Sequence, residues 1–286
     1  MASTAEVAAD VERVVLQKIA AGSLALPSMR VAVVRCLSLL SKEGFSFRDV
    51  VREVEQDPVL AARILSVTNS AAFAGPEPAR SILAAVTRLG AKNLRTVLLE
   101  AAVHQVFESA DARIAAASRG LLTHSRAVAF AARHIAKSAM LEDPENAYLT
   151  GLLHDIGKPV VAMLLLRSEK NVRGERLEVW FDADTWIELV QRSHRSVGVA
   201  LAKVWKLPDA VALAIENCVE YDDAFPRSTP NCVRFANALA KEQGLYVGDV
   251  DPAQNDAIVR VGQLMLGLET AEVNELREQI RTHCAS

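Results

Sequence analysis

Apolar residues recur along this chain at intervals of three and four, and runs of strict apolar–polar alternation are hard to find. That period predicts an all-α protein. A first helix is expected over residues 7–21, with Val11, Val14, Val15 and Ile19 on one face and Gly22 at its end. A second, largely buried helix covers Val31–Leu40. Ser46 is placed to cap a helix whose inner face is Val50, Val51 and Val54. Asp57-Pro58 stops that helix and starts the next: the aspartate caps, the proline takes the first position, and Leu60, Ile64 and Leu65 go inward. Ser81 opens a further helix, Leu89-Gly90 breaks it, and a strongly apolar helix follows over 93–107.

The pattern is interrupted between Ser109 and Ser118 and resumes with a helix from Leu121 to about Ser138, striped with Val128, Ala131, Ala132 and Ile135. Asp143-Pro144 then caps a helix that carries Gly151-Leu152-Leu153-His154-Asp155 and ends at Gly157, with Pro159 opening its successor. Residues 167–184 are polar and read as a loop or helix end, with Asp184 capping the helix of Trp186, Ile187 and Val190. Residues 221–230 form a second loop. Two closing helices are expected over 256–266, with Ile258, Val261 and Met265, and over 271–280, with Val273, Leu276 and Ile280.

Composition narrows the class. With 286 residues, 51% of them hydrophobic, the chain can bury a sizeable core. A net charge of −3 offers no basic excess, so direct nucleic-acid binding is not expected. Cys36, Cys218, Cys232 and Cys284 have no C-x-x-C spacing and read as free thiols in a reducing compartment. The N-terminus lacks the charged and apolar regions of a secretory signal, and the run Val160–Leu166 falls far short of the roughly 20 residues that span a bilayer. A cytoplasmic protein without membrane attachment is expected.

The most pointed chemistry is His154-Asp155, an imidazole and a carboxylate from one backbone segment, which suits a divalent ion that takes nitrogen and oxygen ligands. Two ligands do not make a site. A bland reading stands beside the metal: His154 and Asp155 bonded to each other and to neighbouring helices as a satisfied polar cluster. Lys158, after the helix-ending glycine, reads as a solvated lysine in preference to a phosphate-facing cation.

A family resemblance extends this picture. Leu26-Pro27, Asp57-Pro58 with Leu60 and Arg63-Ile64-Leu65, Asn69-Ser70-Ala71 with Phe73, Ser81-Ile82, Ala85-Val86 and Leu89-Gly90 lie in the order and approximate spacing of the HDOD family, the HD-related output domain of bacterial signalling proteins. With the His-Asp stretch, the resemblance covers roughly residues 24–240. It implies two packed helical subdomains, the second an HD-like helical bundle. The expected organisation is an N-terminal subdomain over 1–115, the HD-like subdomain over 116–245 and C-terminal helices over 246–286 that pack on the module.

The resemblance also makes His124 the first ligand position of the HD superfamily, His154 and Asp155 the second and third, and His194 a retained family position ahead of Gly198, Trp205 and Leu207-Pro208. Catalytic HD proteins are metal-dependent phosphohydrolases, in which the ion is fixed by several ligands and keeps open positions for water and phosphate. Here Asn217-Cys218-Val219 stands where the pattern expects two histidines, and Asn237 stands in place of its closing aspartate, which keeps a carbonyl oxygen but loses the charge. The ligand set His124, His154, Asp155 and His194 is therefore incomplete. The expectation is a non-catalytic regulatory or scaffold protein acting on signalling partners, with no required cofactor and a divalent ion (Fe, Mn, Mg or Zn) as an optional occupant. The alternative is a metal-dependent phosphohydrolase or phosphodiesterase acting on a nucleotide or cyclic dinucleotide.

Overall fold

The structure is a computed structural model that describes residues 29–73, 75–108, 112–173 and 183–285, with a few isolated positions before residue 29. Every regular element among the described residues is a helix, as the apolar period requires. The helix expected over 7–21 falls almost wholly outside the described residues. The chain divides into two compact units, one of Ser28–Gln105 and one of Val106–Ser286 together with the N-terminal stretch to Pro27.

The smaller unit holds α1 (Val31–Leu40), α2 (Phe47–Glu55), α3 (Pro58–Thr68) and most of α4 (Ile82–Phe107). Both α2 and α3 begin where side chains satisfy free N–H groups of the first turn. Ser46 accepts from the Arg48 amide at 3.2 Å, and Asp57 accepts from the Val59 and Leu60 amides at 3.1 Å each. Asn69 closes the following loop by pairing both amide atoms with the Ala79 backbone, at 2.7 and 3.0 Å. Gly90 breaks α4 as expected, since its φ of 69° is a conformation that side-chain-bearing residues rarely adopt. One expectation is corrected here. Val31 and Val34 of α1 are exposed, and only Ala32, Val33, Cys36 and Leu40 face inward, because this short helix has a single side covered.

The larger unit contains α5 (Ala112–Ser138), α6 (Pro144–Leu153), α7 (Gly157–Arg173), α8 (Ala183–Val204), α9 (Asp209–Asn217), α10 (Thr229–Glu242), α11 (Pro252–Leu266) and α12 (Thr270–Ala285). One core joins the α5 stripe, Val128, Ala131, Ala132 and Ile135, to Phe235 and Leu239 of α10, Val259 and Leu266 of α11, and Val273, Leu276 and Ile280 of α12. Asp251-Pro252 caps α11 four residues ahead of its expected start, and its buried side carries Val259 and Leu266 while Val261 is exposed. Similarly, α5 begins nine residues before Leu121, and α7 continues to Arg173 through what read as a polar loop.

Two glycines let the helices around the His-Asp doublet approach closely. A Cβ on Gly151 would meet the Ala129 backbone of α5 at 2.9 Å, and one on Gly157 would lie 1.8 Å from the His194 carbonyl oxygen of α8. The stretch Pro144–Leu166 is long and apolar enough by composition to cross a membrane, but 83% of its most apolar window is buried in the bundle, where it supplies core.

Candidate metal centre

His154, Asp155 and Ile156 form a turn between α6 and α7, not the body of a helix as the sequence suggested. The turn aims both functional side chains at one point. Gly151 brings α6 against α5, which presents His124, and Gly157 brings α7 against α8, which presents His194. His124, His154, Asp155 and His194 are 0 to 4% exposed. The structure thus gathers all four residues singled out in the sequence. One ligand atom each from His124, His154 and Asp155 lie within 4.8 Å of one another. His194 Nε2 is 3.4 Å from Asp155 Oδ1.

The backbone sets the orientation of the three imidazoles. His124 Nδ1 lies 2.5 Å from the Leu245 carbonyl oxygen, His154 Nδ1 2.7 Å from that of Gly151, and His194 Nδ1 2.8 Å from that of Gln191. A carbonyl oxygen can only accept, so each Nδ1 carries a proton and donates it. All three Nε2 atoms are sealed from solvent and have no hydrogen-bond partner among the described residues. Those of His124 and His154 stand 3.8 and 3.3 Å from Asp155 Oδ2. Burial, with the neighbouring His154, pulls the His124 pKa down to about 3, and burial pulls that of His194 down to about 4 against the attraction of Asp155. Both rings are neutral near pH 7. The neutral rings of His124 and His194 thus turn acceptor nitrogens toward an acceptor carboxylate, while His154 Nε2 lies nearest of the three to that carboxylate.

Lys158 supplies the cation. Its Nζ donates to Asp155 Oδ2 at 2.6 Å, and it is 5% exposed. The expectation of a solvated lysine is corrected: placed three residues after Asp155 at the start of α7, its side chain folds back onto that buried carboxylate. Burial pushes the Asp155 carboxyl upward, but the fields of His154 and Lys158 outweigh it and hold the pKa well below the usual carboxylate range.

A short segment after α10 covers the cluster. Tyr246 stacks its ring edgewise on His124 with centroids 5.2 Å apart, and its hydroxyl accepts from Gln191 Nε2 at 3.1 Å and lies 3.5 Å from Lys158 Nζ. Lys158 and Lys241 approach the Tyr246 ring at 5.0 and 4.6 Å from its centroid. Val247 packs where a Cβ on Gly120 would stand, at 2.5 Å. Sequence reading missed this cover, although Gly244-Leu245-Tyr246-Val247-Gly248, an aromatic residue between two glycines, was its signal. In the loop 221–230, Tyr221 donates to the Ile258 carbonyl of α11 at 2.9 Å, and buried Asn231 bonds the backbone of Asp222, Phe225 and Pro226. On α10, the Asn237 side-chain oxygen is buried and without a hydrogen-bond partner among the described residues. Cys36, Cys218 and Cys232 are buried free thiols.

Residues 26–220 match the HDOD domain family, and the chain belongs to it. An uncharacterized protein of Treponema pallidum (strain Nichols) is 26% identical over 199 residues, which are 65% of this chain and 35% of that one; the chain spans about a third of that relative's length. Among solved structures, a "Putative metal-dependent phosphohydrolase" from Shewanella amazonensis SB2B superposes with a TM-score of 0.67 at 22% identity, covering 96% of this chain and 99% of that one. An HDOD domain protein with unknown function from Geobacter sulfurreducens gives 0.60 at 22% identity over 95% and 98% of the two chains. These likenesses establish the HD-like helical fold.

Proposed function

We propose that this chain is a regulatory module of bacterial signal transduction that acts through contact with signalling proteins, its His-Asp centre holding the bundle together in place of hydrolysing a phosphoester. The observation that carries the reading is the state of Asp155: its carboxylate is engaged by the Lys158 ammonium at 2.6 Å, in a cluster closed over by Tyr246. Hydrolysis through a bound ion needs open coordination positions and a path for the substrate. A sealed cluster that already contains its own cation supplies neither, and the uncharged Asn237 lowers the negative charge available to an ion.

The three partnerless Nε2 atoms favour a second reading. In kind, they and Asp155 fit a divalent ion that takes imidazole and carboxylate. His124, His154, His194 and Asp155 would hold it, and such an ion would supply Lewis-acid activation of a water for a phosphohydrolase acting on a nucleotide or cyclic dinucleotide. The test is metal analysis of protein purified without chelators, joined to turnover assays on bis(p-nitrophenyl) phosphate and cyclic dinucleotides with added Mn²⁺ or Fe²⁺. The regulatory reading expects no turnover above the metal-only blank. Stoichiometric metal with turnover abolished by Asp155→Ala would overturn it.

A further inference from the structure

Apolar residues occupy two opposite sides of α11. The inner side is fixed against the bundle: Val259 and Leu266 are buried, Asn255 Nδ2 donates to the Ala238 carbonyl of α10 at 3.0 Å, and the Tyr221 hydroxyl donates to the Ile258 carbonyl at 2.9 Å. A Cβ on Gly262 would collide with the Tyr221 hydroxyl and the Phe235 ring. These contacts settle which side of the helix faces outward.

On that outward side Ala253, Ala257, Val261 and Leu264 are all exposed. Spaced by four, four and three residues, they form one row, about 16 Å long at the rise of an α-helix. Leu264, at 82%, is the most exposed large apolar side chain among the described residues. A helix on the surface of a bundle ordinarily turns charged and polar residues outward. Here the charged residues beside the middle of the row are Asp256 and Arg260, which pair with each other at 2.7 Å.

The row is graded, and the grading is self-complementary. Its first half is methyl groups, Ala253 and Ala257, and its second half is branched side chains, Val261 and Leu264. Two such helices laid antiparallel about a twofold axis near residue 258 put the large end of each on the small end of the other, Leu264 over the partner's Ala253. The same axis sets Arg260 beside the partner's Asp256. Within one chain this exposed pair contributes little. Across the axis two such pairs make a ring of alternating sign.

We propose that the outward face of α11 is a dimer interface between two copies of this chain, packed antiparallel about a twofold axis. An isologous contact of this kind closes at two copies. The helix lies beyond residues 26–220, the part that matches the family, and the proposal does not depend on how the His-Asp centre is used. About three turns of one helix cover less than the roughly 800 Å² per partner of a standard interface, so the dimer is reversible, with a dissociation constant on the order of 10 µM.

The test is sedimentation velocity of the full chain from about 1 to about 200 µM, a range in which mass action carries a dimer of that affinity from mostly dissociated to mostly associated. Leu264→Glu is expected to raise the dissociation constant by roughly tenfold or more, with the Tm of the dilute protein unchanged because the side chain is exposed. Leu213→Glu, at a 55% exposed leucine of α9, should associate like the wild type. Arg260→Glu and Asp256→Arg each gather like charges on the axis and should weaken self-association about tenfold, and mixing the two proteins should restore it, since every charge contact in the mixed pair then joins opposite signs. A wild-type monomer at every concentration would overturn the proposal and assign the face to a different protein. A dimer that persists in Leu264→Glu would overturn it equally, as would a mixture of the two charge variants that associates no better than either alone.

Discussion

Acidification from pH 7 to pH 5 is expected to destabilise the larger unit through two buried imidazoles. The folded pKa values of about 3 for His124 and about 4 for His194 lie below the value near 6.5 of an unfolded histidine. Between those limits the unfolded chain binds more protons than the folded one, so stability falls as pH falls. At pH 5 the unfolded rings are almost fully protonated and the folded ones are still mostly neutral. Each then contributes a loss of about 2 kcal/mol, about 4 kcal/mol together. Asp155, also depressed, adds its loss in the same direction only near and below its unfolded value. For a unit of this size the two histidines correspond to a fall in Tm of roughly 10 °C. The assay is circular-dichroism melting of chelator-treated protein at constant ionic strength, so that no bound ion contributes to the slope. His194→Gln should remove about half of the pH-dependent part. A Tm that is flat between pH 7 and pH 5 would refute neutral buried rings, and a Tm that rises on acidification would show imidazolium paired with Asp155.

Three substitutions test other parts of the site. Lys158→Met leaves the Asp155 carboxylate buried without its cation and should cost about 3–5 kcal/mol in denaturant unfolding, a loss that the double variant with Asp155→Asn largely restores; equal losses in single and double variants would disprove the pairing. Gly157→Ala sets a methyl group 1.8 Å from the His194 carbonyl oxygen, so the α7–α8 crossing must open at a cost of about 3 kcal/mol, seen as a lowered denaturation midpoint; a wild-type midpoint would show that the crossing is not tight. Asn237→Asp returns a carboxylate to the position where the family pattern has one. By calorimetry it should tighten Mn²⁺ binding by on the order of tenfold, about 1.4 kcal/mol, and unchanged binding would place Asn237 outside any metal centre.

The parts of this protein that can be read from its sequence are those governed by neighbours in the chain. Ser46, Asp57-Pro58, Asp143-Pro144 and Gly90 act on backbone groups within a few residues, so helix starts and breaks follow from local chemistry alone. The same holds for the α5 stripe, because helical period fixes which residues share a face. Family likeness named His124, His154, Asp155 and His194, but neither it nor the pattern could say how the three rings are turned. That depends on carbonyl oxygens from Leu245, Gly151 and Gln191, the first of them 121 residues from its histidine. Lys158 shows the difference most directly. By local rules a lysine after a glycine belongs in solvent, yet burial of the turn among α5, α7 and α8 leaves Asp155 as its partner. Sequence alone determined an all-helical chain and the residues of its polar centre. Only the tertiary structure decided that the centre is closed, that its imidazole Nε2 atoms face one carboxylate, and that Tyr246 lies against two lysines, because each depends on which distant groups the packed helices bring together.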